Sequence, residues 1–337
     1  MTTVVDGPYF EDFEIDQQFS APSVTLTDGM AAMYQAISAD RLRLPLDQEL
    51  SKRTTGRDTT LAHPSLVINI VNGQTTFASQ HVKGNLFYRG LIHKAPVYIG
   101  DTLTTLTKVV GLRQNSVKPG RAGTGMVALE METRNQHGEI VMHYWRCPMI
   151  PCRDPDADTG RKDDFDWMPN SFSDDDLTAA MPSDWDLSAL QSSITGLATP
   201  NFAEGEEVII AGKDTITCAP ELVRLTLNIA YAHSDASRSY LGKRLVYGGH
   251  TIALAHQAIT RAFPSMLGVI AWQSCDHLGP VLEDDIIGTS FTVSKIREFG
   301  AKGRLVELSL KCTATRGPKE SRETSEILDW RPYVWTL

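Results

Sequence analysis

The sequence predicts an α+β fold built twice, each copy a long apolar helix covered by a meander of antiparallel strands. Three observations predict it. Landmarks recur in one order at nearly constant spacing: Phe202-Ala-Glu-Gly-Glu follows Phe10-Glu-Asp-Phe-Glu, Thr215-Ile-Thr follows Thr25-Leu-Thr, Pro280-Val281 with Asp285 follows Pro96-Val97 with Asp101, and Trp330-Arg331 follows Trp145-Arg146. Each half holds one long apolar run, from Pro64 and from Gly249 to Phe263. Each run leads into short alternating segments bounded by turn residues, and an amphipathic sheet buries its apolar face against such a helix.

Taken in order, residues 1–20 form an extended lead-in whose Phe10, Phe13 and Phe19 tack it onto a core. Thr27 or Asp28 caps a helix rich in good helix formers. Residues 41–57 read as loop or broken helix. Pro64 sits in the first turn of the first central helix. Strands follow from Gly84, Thr102, Val127 and Ile140, with turns at Gly120–Gly125 and Asn135–Gly138. The Gly120–Gly125 turn lacks the Lys-Ser/Thr of a phosphate loop. Residues 153–185 are rich in Pro and Asp, have no apolar period, and read as a linker between a copy at 1–152 and a copy at 186–337.

The 337 residues carry 42% hydrophobic and 22% charged side chains, the balance of an ordinary globular protein. A net charge of −9 excludes a general nucleic-acid binder. No apolar run reaches the roughly 20 residues of a membrane helix, so no membrane partner is expected. Five cysteines without a Cys-x-x-Cys pair predict reduced thiols, a cytoplasmic location and no metal site. The acidic start lacks the features of a signal peptide.

The stretch with most chemistry runs from Thr226 to Leu254. Asn228 and His233 are five residues apart, so they converge only if the helix breaks between them. Gly248-Gly249 then opens the second central helix with bare backbone N–H groups. An amide, an imidazole and a helix N-terminus can hold a water and polarise a thioester carbonyl.

These segments, with FEDF near the start, PVYIGDTL at 96–103 and NQHGE at 135–139, resemble the MaoC-like hydratases and dehydratases in their fused, double hot-dog form. That family's signature is Asp-x-Asn-Pro-x-His, followed by His-Gly at the hot-dog helix. Asn228 sits at its Asp position, His233 at its His and Gly249 at its Gly; Asn228 and Ala230 depart from the pattern, Asn228 in the manner of the hydroxyacyl-thioester dehydratase branch. In the first half Asp40 matches the Asp, but Pro45 replaces the His and His63-Pro64 replaces His-Gly, so that copy has lost its dyad.

The resemblance implies a hydro-lyase acting on an enoyl-CoA thioester, with a branched, carboxylate-bearing acyl group favoured over an aliphatic one. A thioesterase or a non-catalytic acyl-CoA-binding protein is the reading from another class. His233 and Asn228 would manage the water, and the Gly249 N–H would donate to the thioester oxygen. Gly248, Tyr247, His250 and Asp235 would contact substrate. No cofactor is implied, and a homodimer is expected. Arg41, Arg43, Arg57, Lys83, Arg89, Lys94, Arg238, Lys243 and Arg244 are the cations offered to CoA phosphates or a substrate carboxylate.

Overall fold

The computed structural model describes residues 2–116, 120–196 and 200–337. Thr27 caps α1 (Asp28–Ser38), its side chain accepting from the Met30 N–H. The polar stretch after it is a broken helix, α2 (Arg43–Leu46) and α3 (Gln48–Thr55). Pro64 starts α4 (Pro64–Gln74), the first central helix, buried along nearly its whole length. Two short strands, β1 (Gln18–Ser20) and β2 (Val24–Thr25), lie along the edge of the meander β3 (Gly84–His93), β4 (Thr102–Gln114), β5 (Thr124–Arg134) and β6 (Ile140–Pro151). Helices α5 (Asp174–Ala180) and α6 (Leu187–Ser193) precede the second copy. That copy comprises β7 (Glu207–Thr215), α7 (Ala219–Leu225), α8 (Tyr231–Ser234), the central helix α9 (Gly248–Ala262) and the meander β8 (Met266–His277), β9 (Ile286–Glu298), β10 (Arg304–Arg316) and β11 (Glu323–Thr336).

The two meanders are not separate sheets. They join into one, in the order β1-β4-β5-β6-β3-β8-β11-β10-β9-β7, with β2 off the path on β4. The join is the antiparallel pair β3–β8, in which Phe87 faces Asp276 and Ile92 faces Ala271. Strands related by the duplication thus meet at the junction, and the two pairs exchange places as about a two-fold axis. One apolar core, shared by α4, α9 and the inner faces of both halves, lies within the curve of the sheet. Phe10 and Phe13 are fully buried in it, and Gly125 makes room for the Phe10 ring: an added Cβ would lie 2.2 Å from it.

Two expectations are corrected. Residues 153–185 do not hang free. Phe165 and Met168 pack on Ala128 and Cys147 on the outer face of the sheet, and Leu177, Ala180 and Met181 are buried further along. Asp174, Asp175 and Asp176 form the acidic first turn of α5, capped by Ser173. Their apolar contacts come from irregular chain crossing a sheet, which leaves no period to read. Secondly, Trp145 and Trp330 are not equivalent. Trp145 is only half-buried against His143 and Trp167, whereas Trp330 is fully buried against Trp272. Among the described residues no helix is long and apolar enough to cross a membrane.

Candidate active site

The break between Asn228 and His233 is real, and its cause is local. Helix α7 ends at Leu225, and Leu227 takes a left-handed conformation with φ 56°. A non-glycine residue pays about 1–2 kcal/mol for that. Asn228 offsets part of the cost, its Oδ1 accepting from the Ala230 N–H at 2.9 Å. Then α8 restarts and carries His233. The first half repeats the turn atom for atom: Ala39 has φ 49°, and Asp40 Oδ1 accepts from the Leu42 N–H at 2.8 Å. By the same register Pro45 stands where His233 stands.

The turn is held from outside. The Ile229 N–H donates to Thr76 Oγ1 at 3.1 Å and the Tyr231 N–H to the Gln80 carbonyl at 2.9 Å, both beyond the C-terminal end of α4. Gly73 lets α4 approach this closely, since a Cβ there would sit 1.6 Å from the Thr226 carbonyl oxygen. Backbone cannot yield to such a clash. Gly73→Ala is therefore expected to push the 226–231 turn away and lower kcat/KM by about 100-fold or more, a misplacement effect. Steady-state kinetics beside a thermal melt measure it; unimpaired turnover in a folded variant contradicts the role given to this contact.

His233 is oriented by its own backbone surroundings. Its Nδ1 lies 2.8 Å from the Leu245 carbonyl, which only accepts, so Nδ1 carries the proton and Nε2 keeps a lone pair. The Leu245 N–H donates back to Ala232 at 2.8 Å, tying α8 to the segment that opens α9. Burial pulls the imidazole below its ordinary value, against the opposing pull of the Leu245 bond.

Asn228, His233, Tyr247 and Gly248 line one cavity of about 250 Å³. So do Asn72, Thr76, Ser79, Tyr88 and Arg146 from the first half, and Thr251 and His277 from the second. The site lies between the copies, not inside the second one. No Asp or Glu lines it among the described residues, and Lys83 and Arg146 are its only permanent charges. Asn72 links two phenols, accepting from Tyr144 at 2.6 Å and donating to Tyr88 at 3.2 Å. Tyr247 Oη is buried with no partner, and burial drives its phenol well above the ordinary value. His277 packs against Gly248, where a Cβ would lie 2.6 Å from the ring; burial pushes this imidazole down to about 4, with His233 adding to the effect.

Other expected residues lie elsewhere. Gly249 does not line the cavity; its bare Cα makes room for Asn69 Oδ1 and the Tyr247 ring, at 2.0 and 2.5 Å from an added Cβ. The glycine facing the cavity is Gly248, in the first turn of α9, where N–H groups have no intrahelical acceptor. His250 is buried in the core with Nδ1 unpartnered, and burial lowers it to about 4. Asp235 is exposed and caps a single turn through Ser237 at 2.9 Å. Asn228 is held by its amide oxygen. Oδ1 serves Ala230, and among the described residues Nδ2 has no hydrogen-bond acceptor, so the amide keeps a donor to offer. Of the nine cations offered, Lys83 alone lines the cavity; Arg89 pairs with Asp276 and Arg244 with Glu283.

The duplication produces a second pocket, of about 50 Å³. Leu61, Ala62, Pro64, Val67, His93 and Val97 line it, each 184 positions before a residue of the larger cavity. Here Ala180, Pro182 and Trp185 from the inter-copy segment fill the space. Beside it Asp40 is fully buried, its Oδ2 2.7 Å from His256 Nδ1 and its Oδ1 3.2 Å from His63 Nε2. These three have the spacing of metal ligands. However, His63 Nδ1 accepts from the Ser65 N–H at 3.1 Å, which places the ring proton on Nε2, facing the carboxylate. In this arrangement the carboxylate of Asp40 lies between the two imidazoles.

No family model matches the chain. β-Methylmalyl-CoA dehydratase of Chloroflexus aurantiacus is 32% identical over 292 residues, 83% of this chain and 80% of that one. The chain belongs to the MaoC-like hydratase and dehydratase family. Mesaconyl-CoA hydratase of Cereibacter sphaeroides is 28% identical over 83% of this chain and 81% of its own. A conserved hypothetical protein of Mycobacterium tuberculosis with a double hotdog fold superposes with a TM-score of 0.88 at 39% identity, over 98% of this chain and 99% of its own. A MaoC domain dehydratase structure from Chloroflexus aurantiacus gives 0.83 at 26%, over 99% and 98%. The fold of this family member is the double hot-dog.

Two kinds of site residue escaped the sequence reading. Arg146 has the strand parity of Met142 and Tyr144, both fully buried, so an inward charge was there to be seen. His277 and His93 each stand three residues before the repeated Pro-Val. They belong to the duplicated pattern, and the conspicuous Pro-Val turn after them masks the signal.

Proposed function

We propose that this chain reversibly adds water across the double bond of an enoyl-CoA thioester, and that the acyl group is the branched dicarboxylic one named in its relatives, mesaconyl-CoA and β-methylmalyl-CoA. The observation that carries the reading is that Asn228 and His233, with Oδ1 and Nδ1 held by backbone, line one cavity on which no carboxylate stands among the described residues. Asn228 donates to the oxygen of a water. His233 takes the water proton as the oxygen attacks Cβ and returns it to Cα on the same face. The neutral amide cannot act as a base, so one imidazole carries the proton in both halves of the step. The Gly248 N–H, at the positive end of α9, suits the thioester oxygen where charge develops; one such donor is typically worth about 3 kcal/mol of barrier.

A thioesterase needs a carboxylate to drive water onto the carbonyl carbon, and among the described residues the cavity has none. Incubation with mesaconyl-CoA tests the choice. Loss of enoyl absorbance without release of free thiol is expected; thiol release with the double bond intact would overturn hydration.

The pH profile follows from His233. The imidazole must start neutral, and its value lies below the ordinary 6.5 because of burial. The neutral fraction is complete above that range and falls as pH drops through it. Hydration kcat/KM is thus expected to be flat from pH 7 to 8 and to fall on acidification, with a midpoint below 6.5. A midpoint above 7 contradicts His233 as the base.

A cytoplasmic location and a homodimer belong to the same reading. They rest on five free cysteines and on outer strands such as β7 that have one unpaired edge within the chain, with Ile209 exposed there.

A further inference from the structure

Arg146 is the odd cation of this molecule. Arg89, Arg244, Arg297 and Arg316 are each only partly buried, and each has a carboxylate oxygen within 2.7 Å. Arg146 is 5% exposed, deeper than any of them, and among the described residues no carboxylate lies within salt-bridge distance. Its Nη2 is held by neutral groups only: the Thr75 carbonyl at 3.1 Å, Thr75 Oγ1 at 2.8 Å and Ser79 Oγ at 3.0 Å. Its Nε is buried with no partner at all. A buried charge left without a counter-charge costs several kcal/mol, so a fold keeps one where something else completes it. The side chain lines the cavity, and so does a second buried donor without an acceptor, Tyr247 Oη. Two unsatisfied donors on one cavity wall match the two oxygens of a carboxylate.

We propose that Arg146, with Tyr247 beside it, receives the free carboxylate of the substrate and makes the site selective for enoyl thioesters that bear an acid group on the double bond. This rests on the hydration reading above. In such a substrate the acid is attached to Cβ, the carbon that water attacks. The water oxygen bonds to Cβ, the π electrons move to Cα, and Cα takes the proton from His233. A free carboxylate feeds electron density to Cβ and opposes that attack. Pairing with a guanidinium withdraws it, so Arg146 favours both binding and the chemical step.

The test compares wild type, Arg146→Gln and Arg146→Lys on mesaconyl-CoA and on crotonyl-CoA, which lacks the acid. Binding of the unreactive pair succinyl-CoA and butyryl-CoA is measured alongside. Arg146→Gln is expected to lose about 1000-fold in kcat/KM on mesaconyl-CoA and about 100-fold in succinyl-CoA affinity. Crotonyl-CoA turnover and butyryl-CoA binding should fall at least about ten-fold less than their acid-bearing counterparts, and Arg146→Lys should fall between. Equal losses on the acid and acid-free members would make Arg146 a framework residue and overturn the proposal, leaving hydration standing. Failure of wild type to hydrate either thioester would end the hydration reading instead. The succinyl-to-butyryl preference, kept or lost in Arg146→Gln, would then still decide the residue's role. Should Arg146→Gln not fold, a crystal structure of wild type with succinyl-CoA decides: an acid group within hydrogen-bond reach of Arg146 sustains the proposal, and one bound elsewhere overturns it.

Discussion

His233→Ala is expected to lower hydration by about 10⁴-fold while leaving the fold intact. General acid–base groups contribute about 10²–10⁴, and here a single imidazole acts in both directions, so the upper end applies. The structural cost is small, because the half-buried side chain makes one hydrogen bond, to Leu245. No carboxylate on the cavity can take over. His277 is the other imidazole there, but among the described residues no hydrogen bond orients its ring. His277→Gln should therefore cost far less. The reverse ranking, or full turnover in His233→Ala, would move the base elsewhere. Circular dichroism and a melt on each variant separate lost chemistry from lost structure.

Asp40→Ala is expected to destabilise the protein by about 3–5 kcal/mol, because it leaves several buried donors without their acceptor at once, each costing about 1–3 kcal/mol. Burial opposes ionisation of Asp40, but the nearby His256 and His63, through charge and hydrogen bonds, outweigh it and hold the carboxyl below the usual range. Its ionised form thus supports the fold above the unfolded carboxyl value of about 4, and that support fades as pH falls further. Removing the side chain strands His256 Nδ1, His63 Nε2 and the Leu42 N–H at once. Asp40→Asn should cost less, because Asn228 makes the same turn in the second half. Urea unfolding at pH 7 measures both. Values within 1 kcal/mol of wild type for Asp40→Ala would show that the cluster does not hold the first half together.

Much of this was legible in the chain. Capped and proline-started helices carry local signals, so α1 and α4 start where the sequence places them. Asp40 and Asn228, and Pro45 and His233, could be matched across the copies because the turn they share is encoded by short-range chemistry. The joined sheet was not legible, since β3 and β8 read as ordinary strands whether or not they pair with each other. The choice between Gly248 and Gly249 is not legible in the sequence, because which of them faces the cavity depends on packing against Asn69, Tyr247 and His277. Arg146 is masked in the sequence because Trp145-Arg146 also reads as a repeat landmark. The register shows Arg146 opposite Tyr88 and Leu129, pointing inward with a role of its own.

The central claim is that water bonds to Cβ and its proton passes through His233 to Cα. Mesaconyl-CoA turned over in H₂¹⁸O, and separately in D₂O, tests it most directly by mass spectrometry of the product thioester. One ¹⁸O in the hydroxyl on Cβ and one deuterium on Cα, with CoA still attached, are expected. ¹⁸O in a released acid, with free CoA and an unchanged double bond, would contradict it.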